Sequence, residues 1–304
     1  MSKSSLKHAT ESGVLYALAA YSTWGFVPLF WRELRHIPPI QILAHRIVWS
    51  VVFFIIIFLI RRNLRNWISF AFQASILKKS LPSAMAIAFN WGLYIWAVNS
   101  GHALEASLGY FINPLLNVVL GALIFAERLN PLQKIAFCLA GLGVLILTLA
   151  EGQFPWIALS LASSFSLYGV IRKKTELKGT SGTAVESLLM IPLAAAILLS
   201  PELSTVNVLA LSPMTQSVST LALLSVGGAL TALPLVWFAE AAQRLPLSAL
   251  GFYQYISPTF QFLIAVFAFN EPLKMTSLVS FIFIWSGLGF FSFDATRKAK
   301  TSRR

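Results

Sequence analysis

Two groups of opposite charge stand inside apolar runs of this sequence and are the first candidates for chemistry. Arg46 follows His45 in the run 39–60, and Glu186 lies in the run 181–200. A charge in an apolar helix is costly, so by default it marks a solute or ion pathway or a paired gate. A buried guanidinium calls for a carboxylate, a set of carbonyls or an anionic ligand. Glu186 is a carboxyl able to take up a proton. Each has a plain structural alternative. Arg46 lies about two turns, or about 11 Å, into its run and could snorkel to the interface. Glu186, soon after Ser181-Gly182, could be a first-turn carboxylate favoured by the helix dipole.

An uncharged set accompanies them: Trp24, Asn90, Tyr94, Asn113, Asn117, Tyr168, Trp237, Tyr253 and Gln254, with Asn99, Tyr110 and Gln261 beside these. Rings for stacking and amides for orientation would build a pocket for an amphipathic or aromatic metabolite. Taken singly, the same residues serve as helix–helix hydrogen bonds or interface aromatics. Glu240 and Arg244 read as an i,i+4 ion pair at a helix end. Glu127 and Glu271 each precede a very short turn and read as caps.

Enzyme chemistry finds no footing. The chain has one aspartate, Asp294, and one cysteine, Cys138. There is no G-x-S-x-G and no H-E-x-x-H, and His102 with Glu105 lacks the partners of a metal site. No G-x-x-x-x-G-K-[ST] motif is present, so ATP hydrolysis by this chain is not expected. The expectation is no catalytic residue, no metal and no bound cofactor, with an ion or proton gradient as the energy source for any uphill work.

The elements that must position these groups follow from composition. Of 304 residues 57% are hydrophobic and 11% charged, against roughly 25% charged in soluble proteins. A soluble globule could not bury that much apolar surface. A bilayer core of about 30 Å needs roughly 20 helical residues per crossing. Ten such spans are predicted, near 13–31, 39–60, 81–100, 106–126, 132–150, 154–171, 181–200, 217–241, 246–269 and 275–293. The fold class expected is an all-α integral membrane protein.

Of the 23 Lys and Arg residues, 19 fall on one side of that scheme. Lys3, Arg61, Arg62, Lys78, Lys79 and the cluster 172–174 are among them, whereas Arg32, Arg35 and Lys274 lie opposite. By the positive-inside bias both termini are cytoplasmic. The formal charge of +12 is thus topological, and no nucleic-acid partner is expected. The partners expected are the lipid bilayer and a small-molecule substrate, with the oligomeric state left open. The stretch Arg61–Ser80, with Trp67, Phe70 and Phe72, reads as interfacial.

A shift of 144 residues brings Pro114 onto Pro258, Phe125 onto Phe269, Glu127 onto Glu271, Gly143 onto Gly287 and Gly25 onto Gly169. The chain therefore reads as two five-helix units, 1–150 and 151–304. An odd number of helices per unit gives the second unit the opposite topology, the inverted repeat of secondary transporters.

At these residues the sequence resembles a family. A Pro followed by Glu-x-Leu at the end of the fourth and ninth helices resembles the EamA-type drug/metabolite transporters. Trp24-Gly25 with Pro28, Ala44-His45-Arg46 with Trp49, Asn90-Trp91, Trp96-Ala97-Val98-Asn99 and the run Ser107–Leu115 are similar to the RarD branch, the chloramphenicol-sensitive protein permeases. The resemblance covers nearly the whole chain. It implies two EamA units, a permease of the bacterial cytoplasmic (inner) membrane, and export as the direction. It implies no defined cargo.

Overall fold

The computed structural model describes residues 3–100, 102–152, 154–175, 177, 179–200, 218–270 and 275–301, and among them it is helical throughout. The first half holds α1 (Lys3–Glu33), α2 (Pro39–Ile60), α3 (Leu64–Ala71), α4 (Ala74–Asn99), α5 (Ala103–Phe125) and α6 (Pro131–Glu151). The second holds α7 (Trp156–Thr175), α8 (Gly179–Leu189), α9 (Ile191–Leu199), α10 (Val218–Arg244), α11 (Leu247–Gln254), α12 (Ile256–Phe267) and α13 (Met275–Thr301). The turn expected at Ser212-Pro213 and the side chain of Asn99 lie outside the described residues.

Among the described residues, seven stretches are long and apolar enough to cross a membrane: Thr10–Glu33, Pro39–Ile60, Glu105–Phe125, Pro131–Ala150, Gly179–Leu199, Ser219–Arg244 and Met275–Asp294. The other three expected spans fall on α4, on α7, and on α11 with α12. The last two elements are each too short to cross alone. Exposed Leu142, Leu145 and Leu149 on α6, and Ile282, Phe290 and Phe293 on α13, form apolar outer faces suited to lipid. This is a multi-pass membrane protein.

Local sequence explains where the helices start and break. Asn130 accepts from the Gln133 backbone at 2.9 Å while Gln133 accepts from the Asn130 backbone, and Pro131 opens α6. This reciprocal cap satisfies two orphan amides. The break at Met190 comes two residues before Pro192, and the break at Tyr255 three before Pro258. A proline lacks the N–H for the carbonyl four residues earlier and clashes with it. In the interfacial stretch, Trp67 of α3 is buried and stacks on Phe58 at 4.8 Å.

The packing pairs the two halves. Helix α1 lies against α10 and α12, and α7 lies correspondingly against α4 and α5; α5 meets α11 and α6 meets α13. The 144-residue offset recurs in the geometry. Non-glycine residues with left-handed backbone include Ala126 (φ 52°) and Asn270 (φ 54°). A methyl at Gly143 would stand 2.6 Å from the Ser280 carbonyl, and one at Gly287 would stand 2.6 Å from the Ala136 carbonyl. These two contacts are the same contact with the halves exchanged. Backbones that close need glycine.

Candidate functional site

Helices of both halves wall one cavity of about 400 Å³, within the size range of small-molecule sites. Its mouth is at the α1–α2 turn, where Arg35 and Pro39 are exposed. Tyr21, Trp24 and Trp31 of α1 form one wall, and Asn90, Trp91 and Tyr94 of α4 another. Thr231 and Leu235 of α10, Gln254 of α11, and Ser257 and Gln261 around the Pro258 break complete it. Phe165 of α7 and Tyr110 of α5 close the remaining sides.

Arg46 reaches this cavity from α2. Its guanidinium carbon lies 5.1 Å from the Trp31 ring and 4.9 Å from the Trp91 ring, cation–π distances on both. Its Nε donates to Thr231 Oγ1 at 2.8 Å, and that hydroxyl donates in turn to the Gly227 carbonyl at 2.8 Å. The Thr231 oxygen is thereby fixed as an acceptor, and the guanidinium is held by its Nε edge.

The prolines free carbonyls at the wall. Pro28 leaves the Trp24 carbonyl without its helical donor, and Gln261 Nε2 supplies one at 3.1 Å. Asn90 donates to the Leu161 carbonyl (2.8 Å) and to Ser164 Oγ (2.9 Å), which ties α4 to α7 beside the cavity. Asn117 donates to Gln254 Oε1 at 3.0 Å. The Gln254 amide NH2 is therefore the end left for the cavity.

Of the sequence candidates, the cavity gathers Trp24, Arg46, Asn90, Tyr94 and Gln254. Asn113 donates to the Ala162 carbonyl (2.6 Å) and Ser166 Oγ (2.7 Å), so with Asn117 it stitches α5 to α7 and α11. Trp237 and Tyr253 pack into the interior rather than onto the cavity, and His45, though buried, does not line it.

Tyr168 and Glu186 lie deeper, towards the basic end of the bundle. Tyr168 is fully buried, stacks on Phe238 at 5.6 Å and touches the cavity-lining Phe165 at 5.9 Å. Its hydroxyl donates to Glu186 Oε2 at 3.2 Å. Ser83 donates to Glu186 Oε1 at 2.5 Å, and Arg172 Nη1 reaches the same oxygen at 3.1 Å. Glu186 is thus the hub of a buried cluster and not an isolated first-turn carboxylate.

Arg172 corrects the sequence reading, which placed it with the flanking basic residues. It is completely buried. The available signal was its position four residues after Tyr168, on the same helix face. The capping role of Glu127 also takes another form. Its carboxylate accepts from Leu247 N (2.6 Å), Ser248 N (2.8 Å) and Ser248 Oγ (2.7 Å), so it caps α11 across the molecule and not the helix that follows it. Glu271 lies outside the described residues. Glu240 pairs with Arg244 and also accepts from Gly179 N at 2.6 Å. Lys173 donates to the carbonyls of Ala242 and Leu245. Together these bonds tie α7, α8, α10 and α11 at the basic end, next to the aromatic floor formed by the Phe165, Tyr168 and Phe238 rings.

The comparisons decide the family. A model described as the EamA-like transporter family matches residues 11–149. Protein RarD of Escherichia coli is 41% identical, over 94% of this chain and 95% of its own. The chain belongs to the RarD branch of the EamA-type transporters. Another relative of this transporter, the uncharacterized transporter YojE of Bacillus subtilis, is 41% identical over 98% of this chain and 99% of that one. One solved crystal structure aligns with a TM-score of 0.65 at 18% identity, covering 98% of this chain and 99% of that chain; it speaks for the fold alone. The RarD-branch chain is a membrane transporter.

Proposed function

We propose that this transporter is a secondary permease moving small organic metabolites or drugs across the bacterial cytoplasmic membrane by alternating access. It has ten spans in two inverted five-helix units, 1–150 and 151–304, with both termini in the cytoplasm. The cavity is its substrate site, and export is its direction. The observation that carries the reading is the cavity itself, which both halves wall, which opens at one end and which ends at an aromatic floor. Contacts related by the 144-residue offset support two units that can exchange roles about that site. The basic end, tied by the Glu186–Arg172 cluster, is the cytoplasmic side. In this outward-open arrangement the cluster is the closed inner gate, and Glu186 is the carboxyl that takes up the coupling proton.

Flux in proteoliposomes tests this. Vesicles carrying the full chain should release a loaded metabolite pool selectively and saturably, and collapsing an imposed proton gradient should slow the release. Release equal to that of protein-free vesicles, for every compound in the pool, would contradict transport. Flux indifferent to the gradient would remove the proton.

A further inference from the structure

Among the described residues no carboxylate pairs with Arg46. Its guanidinium lies between two indole rings and is held at Nε by Thr231. Indole faces stabilise a cation without neutralising it. No Asp or Glu is among the described residues that line the cavity, whereas a second guanidinium, Arg35, stands at the mouth. The Nη edge of Arg46 is thus a pair of donors in an apolar site with no carboxylate to meet. An uncompensated charge in such a place is costly, and its retention calls for a ligand that completes it.

Three neighbouring polar groups add donors, while Asn90 Oδ1 and Gln261 Oε1, left over once their NH2 groups are spent on protein acceptors, are the neutral acceptors of the same cavity. Tyr94 and Tyr110 line the same cavity as Arg46, their rings 5.9 Å apart, and neither hydroxyl has a protein acceptor among the described residues. The Gln254 amide NH2 is a further donor. Charged and neutral donors converging in one apolar cavity form an oxyanion receptor. Trp24, Trp31, Trp91 and Phe165 supply flat apolar faces around it. A ligand ammonium would find no anion there, and would face like charge from Arg46 and Arg35.

The geometry points to a small organic monoanion as the ligand class: a carboxylate on a flat apolar body, the carboxylate on Arg46 Nη and the tyrosine hydroxyls, the body among the indoles. This rests on the cavity being the transport site. It places zwitterions below monoanions and cations last, because a positive charge on the ligand meets no carboxylate among the described lining residues and faces Arg46 and Arg35.

The test is calorimetric titration of the full chain in phosphatidylcholine nanodiscs, so that no anionic lipid competes. Four matched probes are used: 3-phenylpropanoate, 3-phenylpropanamide, 3-phenylpropylamine and phenylalanine. The carboxylate should bind about tenfold or more tighter than the amide, as a charge-assisted pair requires, with the amine and phenylalanine weaker than the amide. Arg46→Gln should bring the carboxylate down to the amide's affinity and leave the amide unchanged. Tyr110→Phe, which keeps the ring, should weaken only the carboxylate. Unchanged thermal unfolding checks that both variants fold. Equal affinity for carboxylate and amide, preference for the amine, a preference surviving Arg46→Gln, or no binding at millimolar concentration would each overturn the inference. The anion site and transport fail separately. The expected binding pattern without flux contradicts transport alone, and flux of neutral or cationic solutes undiminished by Arg46→Gln contradicts the anion site alone.

Discussion

Arg172→Met strikes the cluster that ties the basic end. Arg172 and Glu186 are 0% and 2% exposed, with Nη1 and Oε1 3.1 Å apart. Removing the guanidinium leaves the carboxylate with the hydroxyls of Ser83 and Tyr168 and no cation. Breaking a buried pair on one side costs about 3–5 kcal/mol, whereas replacing both partners with apolar groups of similar volume is often close to neutral. Arg172 Nε and Nη2 have no hydrogen-bond partner among the described residues, which tilts the double replacement further towards neutrality. Arg172→Met should therefore lower the unfolding free energy by about 3–5 kcal/mol, and adding Glu186→Leu should recover most of that. If the cluster also holds the inner gate, losing even 3 kcal/mol shifts a two-state gate on the order of a hundredfold towards open. Denaturant titration of the four proteins of the cycle measures the first effect. The second is read from a thiol at buried Thr183, in a Cys138→Ala background: a membrane-impermeant reagent applied from the basic end should label it only when Arg172 is Met. Additive losses across the cycle would refute the coupling, and equal labelling with and without Arg172 would refute the gate.

Three other expectations follow from contacts elsewhere. Gly143→Leu and Gly287→Leu, each driven into a carbonyl of the facing helix, should wedge α6 from α13 and lower thermal stability by similar amounts, about 1–3 kcal/mol; Gly141→Leu, where nothing lies within 4 Å, should not. Glu127→Ala strips three accepted hydrogen bonds from the start of α11 and should cost about 1.5–3 kcal/mol in unfolding free energy. Gln261→Leu orphans the Trp24 carbonyl and should cost about 1–3 kcal/mol. In a Pro28→Ala background, where the helix can supply its own donor, the same change should cost clearly less, as a double-mutant cycle by thermal unfolding would show.

Local signals carried much of this architecture, and contacts between distant segments carried the rest. The apolar runs and the 144-residue offset are local or periodic, so they could be read directly. Arg46 stood out because a charge in an apolar run is rare. Its indole partners could not be told apart from interface aromatics, since Trp31 and Trp91 meet it only through the crossing of α1, α2 and α4. Tyr168 and Glu186 were each visible as polar groups in spans. Their hydrogen bond depends on α8 folding back on α7, and Ser83 comes from a third helix. Arg172 was hidden by its neighbours, because Lys173 and Lys174 make the segment look like an ordinary interfacial charge mark. Glu127 caps a helix 120 residues away, which no local spacing reveals. The helix breaks at Met190 and Tyr255 were foreshadowed by Pro192 and Pro258 but not positioned by them, as proline disrupts the preceding turn.

Whether the cavity is the substrate site is tested most directly by filling it. Val27 lines the cavity on α1, and Val27→Trp would occupy the space without touching the Glu186–Arg172 cluster. Cells lacking the protein, cells producing it and cells producing Val27→Trp at equal membrane abundance are compared by untargeted metabolite analysis of medium and cytoplasm. The expected result is a small set of organic anions enriched in the medium only where the unfilled protein is present. The same enrichment with Val27→Trp, or no difference among the three, would contradict it.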